Sequence, residues 1–122
     1  MKSVTPIDLE TRTTAFALRI VKLFSALPKT TEAQVLGKQL LRSGTSIGAH
    51  YREAKRAKSN SDFISKIEGA LQELDETCYW LELIEKSGII SARRLASLRT
   101  EAVELTKILV TVVKRAKEKT KK

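Results

Sequence analysis

The sequence predicts an all-α domain, an up-down-up-down antiparallel bundle of four helices. Apolar residues recur at intervals of three and four along most of the chain, and no stretch alternates at the period of two that a strand needs. Only two prolines and five glycines interrupt a composition rich in Ala, Leu, Glu, Lys and Arg, the strong helix formers. The helical segments are separated by a few turn-forming residues, and short connections force consecutive helices to run antiparallel. A chain of 122 residues has room for one such core but not for a separate catalytic module, so residues 1–122 read as one domain.

The first helix is expected over about 8–27, with Phe16, Ile20, Leu23, Phe24 and Leu27 on one stripe and Pro28 as its stop. The second, over about 31–57, starts at a Thr31-Glu32-Ala33-Gln34 capping box. On it Leu36, Leu40, Gly44, Ile47 and Tyr51 form one ridge, and Gly37, Leu41, Gly44 and Gly48 a smaller one beside it. Each interior glycine costs about 1 kcal/mol relative to alanine, so three of them imply a compensating gain, most simply the close approach of another helix. The third helix, about 61–87, follows caps in Ser59 and Asn60, carries Asp62 in its first turn, and ends at Ser87-Gly88. Its inward stripe is Phe63, Ile67, Ala70, Leu74, Leu81 and Ile84, with the lone cysteine, Cys78, as a small buried hydrophobe. Ser91 caps the fourth, about 91–119, in which Leu95, Leu98, Ala102, Leu105, Leu109, Val112 and Ala116 make a heptad seam that runs into a basic tail over residues 114–122.

Several apolar residues lie at the edge of these seams or outside them: Val35 and Leu40, Trp80 and Leu83, Ile108 and Val113. A patch containing a tryptophan suggests association, so a homo-oligomer is expected. No apolar leader is visible in Met1–Pro6 and no run of about 18 apolar residues exists, so a cytoplasmic protein away from membranes is expected. One cysteine and one histidine exclude an internal disulfide and offer no metal cluster, and no cofactor is expected.

The net charge of +9 is segregated. Lys38, Arg42, Arg52, Lys55, Arg56 and Lys58 face Glu53 alone, and Lys114, Arg115 and Lys117 lie in a C-terminal run opposed only by Glu118. Between them, residues 61–90 are acidic. Such segregation suits either a face for a polyanion or the pairing of basic and acidic helices with each other. Within the polar stretch 42–54, Arg42, Ser46, His50 and Glu53 share a face, and Glu73 and Glu76 on the third helix can meet it. Two readings stand side by side: a polar network that sets helix register, or arginines and lysines that meet phosphates. Ser46 and His50 are the sole hint of a nucleophile and base, without an oxyanion loop, so no enzyme is expected.

The segments Gln39–Ala49, Arg52-Glu53-Ala54, Asp62–Lys66, Leu71–Glu73 and Glu76–Leu81 resemble, in order and spacing, the bacterial four-helix bundle family first noted as proteins encoded in intervening sequences of large-subunit ribosomal RNA genes. The resemblance spans roughly residues 10–115. It implies a left-handed bundle assembled as a homopentamer, and it includes the accessory variability protein of diversity-generating retroelements, a basic barrel that binds nucleic acid and a reverse transcriptase. Position 50 is usually asparagine in that family and is His50 here, with Tyr51 where a small aliphatic is common. The function expected is therefore non-catalytic binding of RNA or DNA backbones by a helical ring. Its rival is a protein-interaction scaffold, for example a reverse transcriptase accessory factor, with no direct nucleic-acid role.

Overall fold

A computed structural model describes residues 8–120, which form four helices: α1 (Leu9–Ser25), α2 (Thr31–Lys55), α3 (Asn60–Lys86) and α4 (Ala92–Thr120). No strand occurs among the described residues. Residues 1–7, which include the Met1–Pro6 segment, and Lys121 and Lys122 at the end of the basic tail lie outside them.

Each helix begins where a side chain can satisfy an orphan amide. Asp8 accepts from the Thr11 amide at 3.0 Å and from its hydroxyl at 2.6 Å, and Ser59 and Ser91 cap α3 and α4. The cap of α2 is Thr30 rather than Thr31: its hydroxyl accepts from Ala33, while the Gln34 amide donates to the Pro28 carbonyl at 2.8 Å instead of reaching back into a box. Helices α1 and α2 each stop two residues early. In both, two successive amides bond three residues back, at Leu23 and Phe24 for α1 and at Glu53 and Ala54 for α2. That tighter turn swings Leu27 inward, where it is buried. The end of α3 is a Schellman motif, with Gly88 at φ +79°, its amide on the Glu85 carbonyl and the Ile89 amide on that of Ile84.

The helices pack in chain order, α1 on α2, α2 on α3, α3 on α4, with α4 closing loosely on α1 and no diagonal packing. Phe16 and Ile20, Leu40 and Ile47, Ile67, Leu74 and Leu81, and Leu105 and Leu109 form the shared core. The small ridge of α2 is the contact with α1. A methyl added at Gly44 would lie 2.8 Å from Ile20 Cγ1, one at Gly48 would lie 3.1 Å from Thr13 Oγ1, and one at Gly37 would overlap Leu27.

Packing revises several sequence expectations. Leu40 and Val113 are core residues, and Trp80, Leu83 and Ile108 are half-buried, which leaves Val35 alone of that group exposed. The apolar side chains that do face outward are Leu18, Val21, Val35, Tyr79, Val103 and Val110. Val112 and Phe63 are half-buried rather than core, and Cys78 is half-buried in an open groove between α3 and α4. Burial, helped by Asp75, pushes the Cys78 thiol above its usual range.

A seam of paired charges and a basic end

Antiparallel order fixes where charge gathers. The C-termini of α2 and α4 and the N-termini of α1 and α3 lie at one end of the bundle, so the basic ends of the second and fourth helices meet there. They border one open cleft of about 510 Å³, in which Lys55 at the end of α2 faces Arg115 and Lys119 of α4. Its walls are closed by Asn60, whose amide nitrogen donates to the Ala116 carbonyl at 2.7 Å and to the Thr120 hydroxyl. Basic residues near a helix C-terminus also complement its dipole.

The cations expected to form a site fall into two groups. Arg42 binds Glu76 at 2.7 Å and Glu73 at 3.3 Å, Lys55 binds Glu10 at 2.8 Å, Arg52 lies 3.7 Å from Glu10 and donates to the Thr14 hydroxyl, and Lys117 lies 3.1 Å from Glu68. The side chains of Lys38, Arg56, Lys58, Lys114 and Arg115 are exposed and their charged nitrogens have no carboxylate within 4.0 Å among the described residues, although the Lys58 backbone amide donates to Asp62 at 3.3 Å. Lys38 is not at the basic end: the 17 residues to Lys55 place it about 25 Å away along α2. Lys119, which lines the cleft, was not singled out from the sequence, although its place on the α4 face beside Arg115 follows from a four-residue spacing.

The polar stretch of α2 lies along α3. Arg42, Glu73, Glu76, His50 and Glu53 come together there, while Ser46 does not join them: its hydroxyl donates to the Arg42 carbonyl at 2.7 Å, within its own helix. His50 Nε2 is 3.8 Å from Glu73 and Nδ1 is 3.8 Å from Glu53, both beyond hydrogen-bond range, and the buried Nδ1 has no partner among the described residues. The Arg42 guanidinium is held charged, first by its hydrogen bond to Glu76 and then by the field of Glu73. Beneath these ions, the hydroxyls of Ser43 and Thr77 sit 2.9 Å apart, both buried. With one proton each, one donates to the other and the second turns back to its own helix. Ser43 lies within a stretch that the sequence marks, but it carries no charge and sits among glycines, so nothing local distinguishes it as a cross-helix partner.

The strongest tie between α1 and α4 was not visible in the sequence either. Arg12 reaches Glu101 through two bonds of 2.7 and 2.9 Å, a bidentate pair that lowers the Glu101 carboxyl below its usual range, mainly through that hydrogen bond. A carboxyl with a depressed folded-state pKa stabilises the fold fully above its unfolded value, and that contribution fades as pH falls through the folded value. Glu101→Gln is therefore expected to cost about 1 kcal/mol at neutral pH, after screening of a partly exposed pair, and to show a shallower loss of Tm below about pH 4.5 than the parent. Thermal melts across pH check this; parallel acid limbs would refute it.

No helix is long and apolar enough to cross a membrane, and no group of three or more potential metal-binding side chains occurs, both statements covering the described residues.

The model of the 23S rRNA-intervening sequence protein family matches residues 7–111. A crystal structure of a protein with unknown function from the S23 ribosomal protein family of Bacteroides thetaiotaomicron is similar, with 42% sequence identity and a TM-score of 0.81. The match covers 86% of this chain and 97% of that one. No curated protein matches.

Proposed function

The chain belongs to the 23S rRNA-intervening sequence protein family, and from that premise we propose that it is a non-catalytic protein that binds RNA or DNA backbones through the basic end of its bundle. The observation that carries this reading is that two basic segments, about sixty residues apart in sequence, end on the same side of the bundle, where Arg115 lines the cleft and Arg56, Lys58 and Lys114, which do not line it, are exposed with unpaired side chains in the neighbouring turns. Had these lysines and arginines served only to bind the acidic third helix, they would have been consumed as Arg42 and Lys117 are. Cations left free at one surface raise the local concentration of phosphate. Arg42 belongs by this reading to helix register, and the seam of Arg42, His50, Glu53, Glu73 and Glu76 is a structural network.

Self-association is part of the proposal. Leu18 and Val21 are exposed on α1, at 63% and 41%, and Val103 and Val110, each at 48%, on α4, giving two apolar strips on different faces of one subunit. Patches of that kind favour contact between copies, and a ring would multiply the basic ends.

Binding should weaken steeply with salt. The log-log slope is expected to have a magnitude of about 3 or more per subunit, from four phosphate contacts at about 0.7–0.9 each. Sedimentation at micromolar concentration should read a particle several times the 13.6 kDa of one chain. Affinity indifferent to salt between low and moderate ionic strength would overturn the backbone reading, and a 13.6 kDa particle would overturn the assembly. A pull-down of a protein that survives nuclease treatment, with no binding to free nucleic acid, would favour a scaffold instead.

A further inference from the structure

The cleft at the basic end is not a purely ionic surface. Its cations, Lys55, Arg115 and Lys119, are exposed and form a rim, whereas Ala57, Val112 and Phe63, the one aromatic among the lining residues, are half-buried and make an apolar floor. Phe63 sits in the first turn of α3, and it is half-buried although the 3.6-residue period assigns it to the core stripe that Ile67 and Ala70 continue. A phosphate needs only the rim. An apolar floor beside cations fits a ligand with an anionic edge and a flat, greasy body joined by a short link, which describes a nucleotide unit whose base is unstacked. The volume of about 510 Å³ lies within the roughly 300–1,000 Å³ typical of small-ligand sites.

We infer that the cleft takes a base of single-stranded nucleic acid, stacked against Phe63, with the neighbouring phosphates on Arg115 and Lys119. The inference rests on the backbone-binding reading and adds strand selectivity to it. A duplex keeps its bases paired and can offer this cleft only phosphates. Duplex DNA nevertheless has the higher charge density, so electrostatics alone ranks duplex above single strand. A preference for single strands must therefore come from the floor, because stacking on an aromatic side chain is available only to an unpaired base. Lys55, tied to Glu10, serves as a wall and not as a phosphate ligand.

The test compares three probes of about 16 nucleotides with equal phosphate counts per strand: a single strand, the same strand with abasic sites throughout, and the duplex. The intact single strand is expected to bind about tenfold tighter than the abasic one, the increment of one stacked base. Phe63→Leu should remove that difference while leaving duplex affinity unchanged, and Arg115→Ala should weaken all three probes. Equal affinity of intact and abasic strands for the unaltered protein overturns the stacked base and leaves backbone binding standing. Binding of none of the three overturns both. Because that comparison needs no variant, poor folding of Phe63→Leu does not blunt it.

Discussion

Gly44→Val is expected to lower the stability of the bundle by about 3 kcal/mol, a drop in Tm on the order of 10 °C for a domain of this size. A Cβ at position 44 would stand 2.8 Å from Cγ1 and 3.0 Å from Cγ2 of Ile20, which is wholly buried and wedged into the core shared with Phe16. Ile20 has nowhere to retreat, so α1 must lift from α2 and uncover apolar surface along its length. Valine recovers only a few tenths of a kcal/mol in helix propensity over glycine, too little to offset overpacking. Gly69→Ala is the matching control. There the added carbon meets the imidazole of His50 at 3.1 Å, a ring at the partly exposed edge of the seam that can turn aside. The helix gains about 1 kcal/mol of propensity, so that variant should melt at or above the parent temperature. Equal melting of the two variants would show that the α1–α2 approach is not governed by residue size.

The second large effect is on binding. Replacing Arg56, Lys58, Lys114 and Arg115 together by alanine should reduce affinity for nucleic acid roughly a thousandfold at about 0.1 M salt and flatten the log-log slope by about 3. All four side chains are exposed and none has a carboxylate within 4.0 Å among the described residues, so the melting temperature should change little. The contrasting set is Arg42, Arg52 and Lys55. Alanine there breaks pairs with Glu73, Glu76 and Glu10, and the loss should appear in stability first. Unchanged affinity in the fourfold variant would remove the basic end as a binding surface.

Helix count, order and approximate limits follow from the period of apolar residues and from the caps. The glycine ridge of α2 also announced a close neighbour, and α1 is that neighbour. What the sequence hid depends on azimuth and on register between helices. The seam of α4 shows the first: a strict heptad points to Val112, but the real helix advances 3.6 residues per turn, so over the 18 residues from Leu95 it returns to the same azimuth at Val113. The ion pairs show the second. Spacing within one helix says nothing of Arg12 and Glu101, 89 residues apart, or of Lys55 and Glu10, 45 apart. The candidate interface was visible as two basic blocks; that their C-terminal parts share a cleft, and that Lys38 lies far from it, required the antiparallel order to be laid out in three dimensions.

The glycines that draw α1 onto α2 leave its other flank thinly covered. Toward α4 it has little packing, and much of the link is polar, the Arg12–Glu101 fork and the bond from Arg19 to the Ser97 hydroxyl. Long polar tethers tolerate small separations that interdigitated leucines do not. The bundle is thus hinged like a folded screen, with its free edges latched instead of glued. That latch is the seam with the least packing to part, and it lies away from the densely packed α2–α3 hairpin.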